Sequence, residues 1–215
     1  MNKFTLIKLL VLVSLVSCGT YEPTFKYKYN TNPKYTWGYA DFYGAYYSDV
    51  QNNNNVISLS LFSDSLYVNN NRNLAGTGQY LFLEDVFVSS TDTILPNGVY
   101  KVSKDKTPFT VYPGEEFKVD DAKYVIGSYI YFIEKNSNYS VQKLISGGSF
   151  TVTNLSDTRL LNFNFVLSDS TRLQGSFTAM LPHYDLSPDK VAGIPRKKLS
   201  LAIPVQASLK TQLLR

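Results

Sequence analysis

The sequence predicts an all-β protein, a single antiparallel β-sandwich or barrel. Three observations carry the prediction. Apolar and polar residues alternate with period two through much of residues 39–181. Turn-forming clusters of Asn, Asp, Gly, Ser and Pro separate the alternating stretches every 10–15 residues. No stretch between 40 and 181 repeats its apolar residues with a helical period. An antiparallel sheet packed on one side leaves this apolar-in, polar-out record.

The elements follow in order. Lys3 and Lys8 open residues 1–17 as a positive stretch ahead of an apolar run over 9–16 that is too short to span a bilayer as a stable helix. This is the arrangement of a secretory signal peptide. Residues 18–38 read as a tether, with Gly19, Pro23 and Pro33 among Lys, Thr and Asn. Eleven residues from Tyr21 to Tyr47 are aromatic, and they alternate at Phe25, Tyr27 and Tyr29 and again at Tyr35, Trp37 and Tyr39.

Residues 43–49 and 56–62 form a hairpin candidate around the Asn-rich run 51–55. Val56, Ser58, Ser60 and Phe62 share one parity there, and Ile57, Leu59 and Leu61 the other. Residues 69–78 read as a loop and 80–88 as a strand. The turn Leu95-Pro96-Asn97-Gly98 leads into strands at 99–103, 109–112 and 124–133. The strongest pattern spans 149–181. Leu161, Phe163, Phe165 and Leu167 face one way and Asn162 and Asn164 the other; after a turn at 168–171, Leu173, Gly175, Phe177, Ala179 and Leu181 alternate again. Residues 182–215 carry Pro188, Pro195, Pro204 and the cluster Arg196-Lys197-Lys198, and read either as a tail or as an edge strand at 199–203.

Composition narrows the function classes. The 215 residues are 44% hydrophobic and 14% aromatic, which suits one compact domain. Charged residues make up 18%, below the roughly 25% of an average soluble chain. Low charge with many aromatics argues against disorder, and a net charge of +4 without a basic patch argues against nucleic-acid binding. One Cys and one His give no basis for a disulfide framework or a Cys/His metal cluster, and no cofactor is expected.

Leu15-Val16-Ser17-Cys18 resembles the bacterial lipobox, and the one cysteine of the chain stands where that motif requires it. The resemblance implies cleavage before Cys18 and lipidation of Cys18; the plain alternative is an ordinary signal peptide with an unmodified cysteine. Three acyl chains, as such lipoproteins carry, would anchor stably where one is marginal. Gly19 stands where an inner-membrane retention signal would place Asp, which favours the outer membrane. The stretch Ile145-Ser146-Gly147-Gly148-Ser149-Phe150-Thr151-Val152-Thr153, continuing through Phe163-Asn164-Phe165 to Leu173-Gln174-Gly175-Ser176-Phe177, resembles a recurring element of uncharacterised β-rich bacterial cell-envelope lipoproteins. Tyr43-Gly44-Ala45-Tyr46-Tyr47, residues 59–64 and the turn at 95–100 are similar to theirs too. The resemblance implies a β-rich domain in the envelope and brings no catalytic residue with it.

The expected role is a non-enzymatic binding or assembly module, held to the membrane by its lipid, with a glycan, a peptide or a partner envelope protein as ligand. Trp37, Tyr39, Tyr43 and Tyr47 are the candidate ligand-contacting rings, because tyrosine and tryptophan combine apolar area with a polar tip. Phe42 and Tyr46, of the other parity, are expected to pack inward. The alternative is a hydrolase using two carboxylates, for example on glycans. Glu84-Asp85, Glu115-Glu116 and Asp120-Asp121 supply carboxylate pairs, but neighbours on a strand point to opposite faces. Asp120 and Asp121 are also a calcium candidate, without the repeated ligand spacing such a loop shows. His183 is expected to be a surface histidine, since no Gly-x-Ser-x-Gly turn accompanies it.

Overall fold

In the computed structural model, which describes residues 29–63, 65–70, 73–119, 122–135 and 140–187, the alternating stretches become strands around one interior. The strands are β1 (Lys34–Tyr35), β2 (Trp37–Gly44), β3 (Asn55–Phe62), β4 (Leu66–Val68), β5 (Leu74–Gly76), β6 (Gly78–Val88), β7 (Gly98–Val102), β8 (Thr110–Val111), β9 (Glu115–Val119), β10 (Ala122–Ile126), β11 (Tyr129–Ile133), β12 (Ser140–Asn154), β13 (Arg159–Leu167), β14 (Arg172–Ala179) and β15 (His183–Asp185). One 3-10 turn, Ser48–Val50, is the only helical element among the described residues. The fold is all-β, as the alternation predicts.

Parity decides what is inside. Leu161, Phe163, Phe165 and Leu167 of β13 join Leu173 and Phe177 of β14 and Ile57, Leu59 and Leu61 of β3 in a single core. Asn162 and Asn164 stand exposed between them. The aromatic rings of the core touch at ordinary edge or offset geometry, such as Tyr100 on Phe150 at 4.8 Å and Tyr35 on Phe163 at 5.9 Å. Truncating such a ring to Ala typically costs about 3–5 kcal/mol.

The sheet closes on itself twice. β6 and β12 are joined directly by β11 and a second time through β8 and β7, which makes a closed ring of five strands. β12 serves both routes because a bulge between Ile145 and Gly147 bends it, its first part pairing with β11 and its last part with β7. Gly148 follows at φ +96, and a Cβ there would lie 2.2 Å from the Asn164 carbonyl oxygen. The larger closure comes from the first chain segment. β1 pairs parallel with β14, β2 pairs antiparallel with β3, and β15 returns parallel to β2. Only Thr36 separates β1 from β2, so the run from Thr31 to Gly44 is bonded to β14 and β15 on one side and, from Thr36 onward, to β3 on the other. The amides of Gln174 and Ser176 donate to Thr31 and Pro33 carbonyls, and those of Ala40 and Leu186 bond Pro182 and Phe42 carbonyls.

Several expectations are corrected. The segment 18–38 is not a tether up to its end, since β1 and the start of β2 lie within it. The sheet is not purely antiparallel: three pairings are parallel, because a strand that closes a barrel takes its partner in whatever direction the chain arrives. Beyond residue 181 an edge strand does form, but at His183–Asp185; the stretch 199–203 lies outside the described residues. Strand 43–49 ends early at Gly44, and strand 124–133 breaks at Gly127 into β10 and β11. The loop expected at 69–78 contains β5, which pairs with β4 as a hairpin.

Gly38 marks how tightly the closing segment is seated. A Cβ at this position would fall 2.4 Å from the Ser60 carbonyl oxygen and 2.6 Å from Leu61 Cδ2. Gly38→Ala should therefore lower the unfolding free energy by about 1–3 kcal/mol in denaturant titration, the range of overpacked cores. Gly147→Ala, whose nearest neighbour is Val166 Cβ at 3.9 Å, should change it little. Equal losses at the two sites would show that the segment is loosely held.

Candidate functional site

The outward face of β2, β3, β6 and β11 is the unusual part of the barrel. Strand side chains alternate, so with Ala40 and Phe42 in the core, Trp37, Tyr39, Asp41 and Tyr43 must face out. An outward face normally meets water, yet every residue of β3 is buried on both of its faces. Phe62, Tyr80, Phe82, Tyr129 and Tyr131 form a second apolar cluster here, covered by Leu66 and Leu74 of the β4–β5 hairpin. Trp37 stacks on Phe62 with centroids 3.9 Å apart, and its indole Nε1–H donates to the Leu66 carbonyl at 3.0 Å. A third cluster, Tyr43, Val56 and Phe87, lies farther along, with Tyr46, Tyr47 and Leu186 packed on it.

Between these two aromatic clusters runs a polar trough. Asp41 stands opposite Ser58 in the β2–β3 register, and both are buried. Ser58 faces a bulge in β6, where the register slips between Ile57 and Leu59 and Asp85 takes φ +45. The bulge has a chemical consequence. Consecutive residues Glu84 and Asp85 no longer project to opposite faces: Glu84 Oε2 accepts the Gly127 amide at 2.5 Å, while Asp85 accepts a short hydrogen bond from the Tyr47 hydroxyl. Tyr47 in turn packs at 5.9 Å on Phe87 and carries the Lys106 ammonium 4.3 Å above its ring. Ser60 Oγ and the Tyr80 hydroxyl share a hydrogen bond at 3.2 Å. Ser58 Oγ is different, being buried without a hydrogen-bond partner among the described residues. A buried hydroxyl left unbonded costs about 1–3 kcal/mol, and Ser58 shares this state with other buried hydroxyls, that of Ser128 among them.

Strain collects at the same end. Of five non-glycine residues with positive φ among the described residues, four are Gln51, Asp85, Lys106 and Phe109. Gln51 and Lys106 lie in loops held together by Asn52 and Asn54, whose side-chain amides both donate to the Lys106 carbonyl, at 2.9 and 3.0 Å. Such backbone persists only where its surroundings over-determine it, and it concentrates at functional surfaces.

The four candidate rings are thus brought to one side of the barrel, with differing access. Tyr39 and Tyr47 are half-buried beside the trough, Tyr39 packed on the second cluster and Tyr47 on the third. Tyr43 is only 3% exposed, so its ring does not meet a ligand from solvent. Trp37 is a structural ring, fixed by its stack and its hydrogen bond, and its loss would weaken the fold. Phe42 packs inward, as its parity predicts. Tyr46 does not: beyond Gly44, at φ +61, the chain leaves the strand, parity lapses, and the ring joins the outer third cluster instead. His183 is half-buried, 5.8 Å from the Phe42 ring, rather than a free surface residue. Glu115 is held by Lys104 and by the Tyr112 hydroxyl, and Glu116 by Lys123 at 3.3 Å. Asp120 and Asp121 lie outside the described residues. Among the described residues no group of three or more His, Cys, Asp and Glu side chains is placed to hold a metal ion. Sequence reasoning missed Asp41 and Ser58, although Asp41 is the one acid on the Trp37–Tyr39–Tyr43 parity.

Burial raises the phenol ionisation of Tyr80 and Tyr129, with nearby Tyr129 and Glu84 respectively adding to it, and burial with the Asp85 charge does the same at Tyr47. These phenols stay neutral at physiological pH. The unfolded chain, with phenols near 10, releases protons that the folded chain retains. The phenol contribution to stability should be flat below about pH 9 and fall above about pH 10, by up to about 1.4 kcal/mol per pH unit for each retained proton. Denaturant unfolding of wild type and Tyr80→Phe at pH 8 and 11 checks this, since the Phe variant should lose less. An equal loss in both would remove Tyr80 from the account. No protein-family model, curated protein or solved structure matches the chain, so function rests on this site alone.

Proposed function

We propose that the protein is a lipid-anchored envelope lipoprotein of the outer membrane, attached through Cys18, that binds or assembles and does not catalyse. Its ligand, a glycan, a peptide or a partner protein, engages the trough between Tyr39 and Tyr47. The observation that carries the reading is the placement of Tyr39 and Tyr47, two half-buried rings on the outward side of the barrel, at either end of the polar strip formed by Asp41, Ser58 and Asp85. Aromatic walls with acceptor groups between them suit sugars and peptides, whose surfaces mix apolar faces with donors. The carboxylate pair at Glu84–Asp85 supports binding better than hydrolysis, because Gly127 and Tyr47 already hold both groups. A glycosidase pair must instead flank the scissile bond with its two carboxyl groups free and about 5–10 Å apart.

Two measurements test the parts separately. Cys18→Ala should move the protein from the membrane fraction to the soluble one and abolish acyl labelling; unchanged fractionation would refute the anchor. For the site, the purified chain is applied to a glycan array, a peptide panel and a hydrolysis screen. Tyr39→Ala should weaken the ligand found by about tenfold, or roughly 1.4 kcal/mol, while the melting transition is kept. Turnover that disappears in Glu84→Gln would establish the hydrolase instead.

A further inference from the structure

The strands β9 and β10 pair with each other and with no other described strand. Only residues 120 and 121 separate them, so the closing pair, Val119 with Ala122, is a hydrogen-bonded one and the alternation below it is fixed. Glu115, Phe117 and Val119 therefore turn their backbone groups toward β10. Those of Glu116 and Lys118 point the other way, along an edge that no described strand covers. An open edge is a template for a further strand unless its side chains forbid one.

Here the side chains select the strand. Glu116 and Lys118 share one face of the hairpin, and both are exposed. Lys118 stands opposite Lys123 in the register, a like-charge pair, and makes no ion pair among the described residues. Lys123 reaches diagonally to Glu116 at 3.3 Å, a solvated contact that leaves the carboxylate able to accept from a second cation. On the other face Phe117 and Tyr124 stack at 5.4 Å. Both are only half-buried and belong to none of the three apolar clusters, and Ile126 beside them is 37% exposed.

A second copy of β9, laid antiparallel about Phe117, answers each of these features. Glu116 then faces Lys118 of the second copy, and Lys118 faces its Glu116. These are the residues whose backbone points outward, so each pair can exchange both N–H···O bonds. Phe117 lies on the two-fold axis opposite its own mate, at the closer spacing of a non-hydrogen-bonded pair, and the two ring stacks join across one face. A two-fold contact requires a self-complementary surface, and the order Glu-Phe-Lys supplies it. The edge of β10 does not: the same operation about Tyr124 sets Lys123 against Val125, and Val125 is already packed on the second cluster.

We propose that the protein pairs with a second copy of itself through β9, edge to edge and antiparallel about Phe117, so that one sheet runs through both hairpins. The pairing is independent of the trough and of the lipid anchor. The contact is small, so the dimer is weak and forms with concentration.

The test is sedimentation of the full chain carrying Cys18→Ala, which removes the lipid and the native thiol, over about 1 µM to 1 mM. A monomer–dimer equilibrium is expected. Glu116→Lys and Lys118→Glu, each alone, set like charges against each other at both contacts and should weaken the dimer by about tenfold or more. An equimolar mixture of the two variants should recover it, as should one chain carrying both changes, and the melting transition of each should be that of the parent chain. Phe117→Cys in the same background should give a disulfide-linked dimer on mild oxidation, because the opposed Cα atoms lie about 4.5 Å apart; Lys123→Cys, on the far strand, should not. A monomer at every concentration, single variants as tight as the parent, a mixture that fails to recover pairing, or growth beyond a dimer would each overturn the proposal.

Discussion

A sheet that curls until its first strand meets its last has no open edge, and the rest of this molecule depends on that closure. The closing piece is the run from Thr31 to Gly44, bonded to β14 and β15 on one side and to β3 on the other. An unclosed edge would expose a row of unpaired amides and carbonyls along β3 and another along β14. The closing run also supplies Tyr35, Ala40 and Phe42 to the core, so hydrogen bonding and apolar burial lock together in a single segment. Its pairings with β14 and β15 are distant in sequence, which gives the barrel a high contact order.

Closure accounts for the position of the site. The interior is filled by large side chains, so a ligand must be met on the outside, where β2 presents its second parity. That face would be an ordinary wet surface if the β4–β5 hairpin did not cover half of it. Covering half and leaving a polar strip produces the trough: apolar clusters at both ends, carboxylates and serines between, and a bulge in β6 that turns Asp85 beside Glu84. The closing segment thus holds the barrel shut with one parity and forms one wall of the trough with the other. Any loosening of its seat would be felt at both.

Much of this was legible in the sequence where one physical rule acted alone. Residues 161–177 alternate because their strands have one dry face and one wet, and the parity of Phe163 and Asn164 gives both directly. Phe42 is inward for the same reason. The reading failed where a second layer intervened. Ser58 and Ser60 share a parity with Phe62, a mixture that a one-sided sheet reads as surface; the β4–β5 hairpin, whose Leu66 and Leu74 pack with Phe62, runs through a stretch whose Asn and Gly look like loop. The bulge at Asp85 has no glycine to announce it, and it overturned the rule that kept Glu84 and Asp85 on opposite faces. Tyr46 escaped parity because Gly44 ends the strand first. The parallel pairing of β1 with β14 leaves no local trace, since its partners are separated by nearly the whole barrel. Of the candidate rings, Tyr39 and Tyr47 lie at the trough, while Trp37 and Tyr43 belong to the packing that frames it.

Native-state hydrogen exchange at the amides of Ala40 and Ser176 tests the central claim most directly, because these donate to Pro182 and Pro33 across the closing seam. If closure holds the barrel together, both amides should exchange only through global unfolding, with the same free energy and the same denaturant dependence as core amides of β13. Exchange at either seam amide through a low-energy local opening, insensitive to denaturant while β13 stays protected, would show that the barrel stands without its closing strand and would contradict the account.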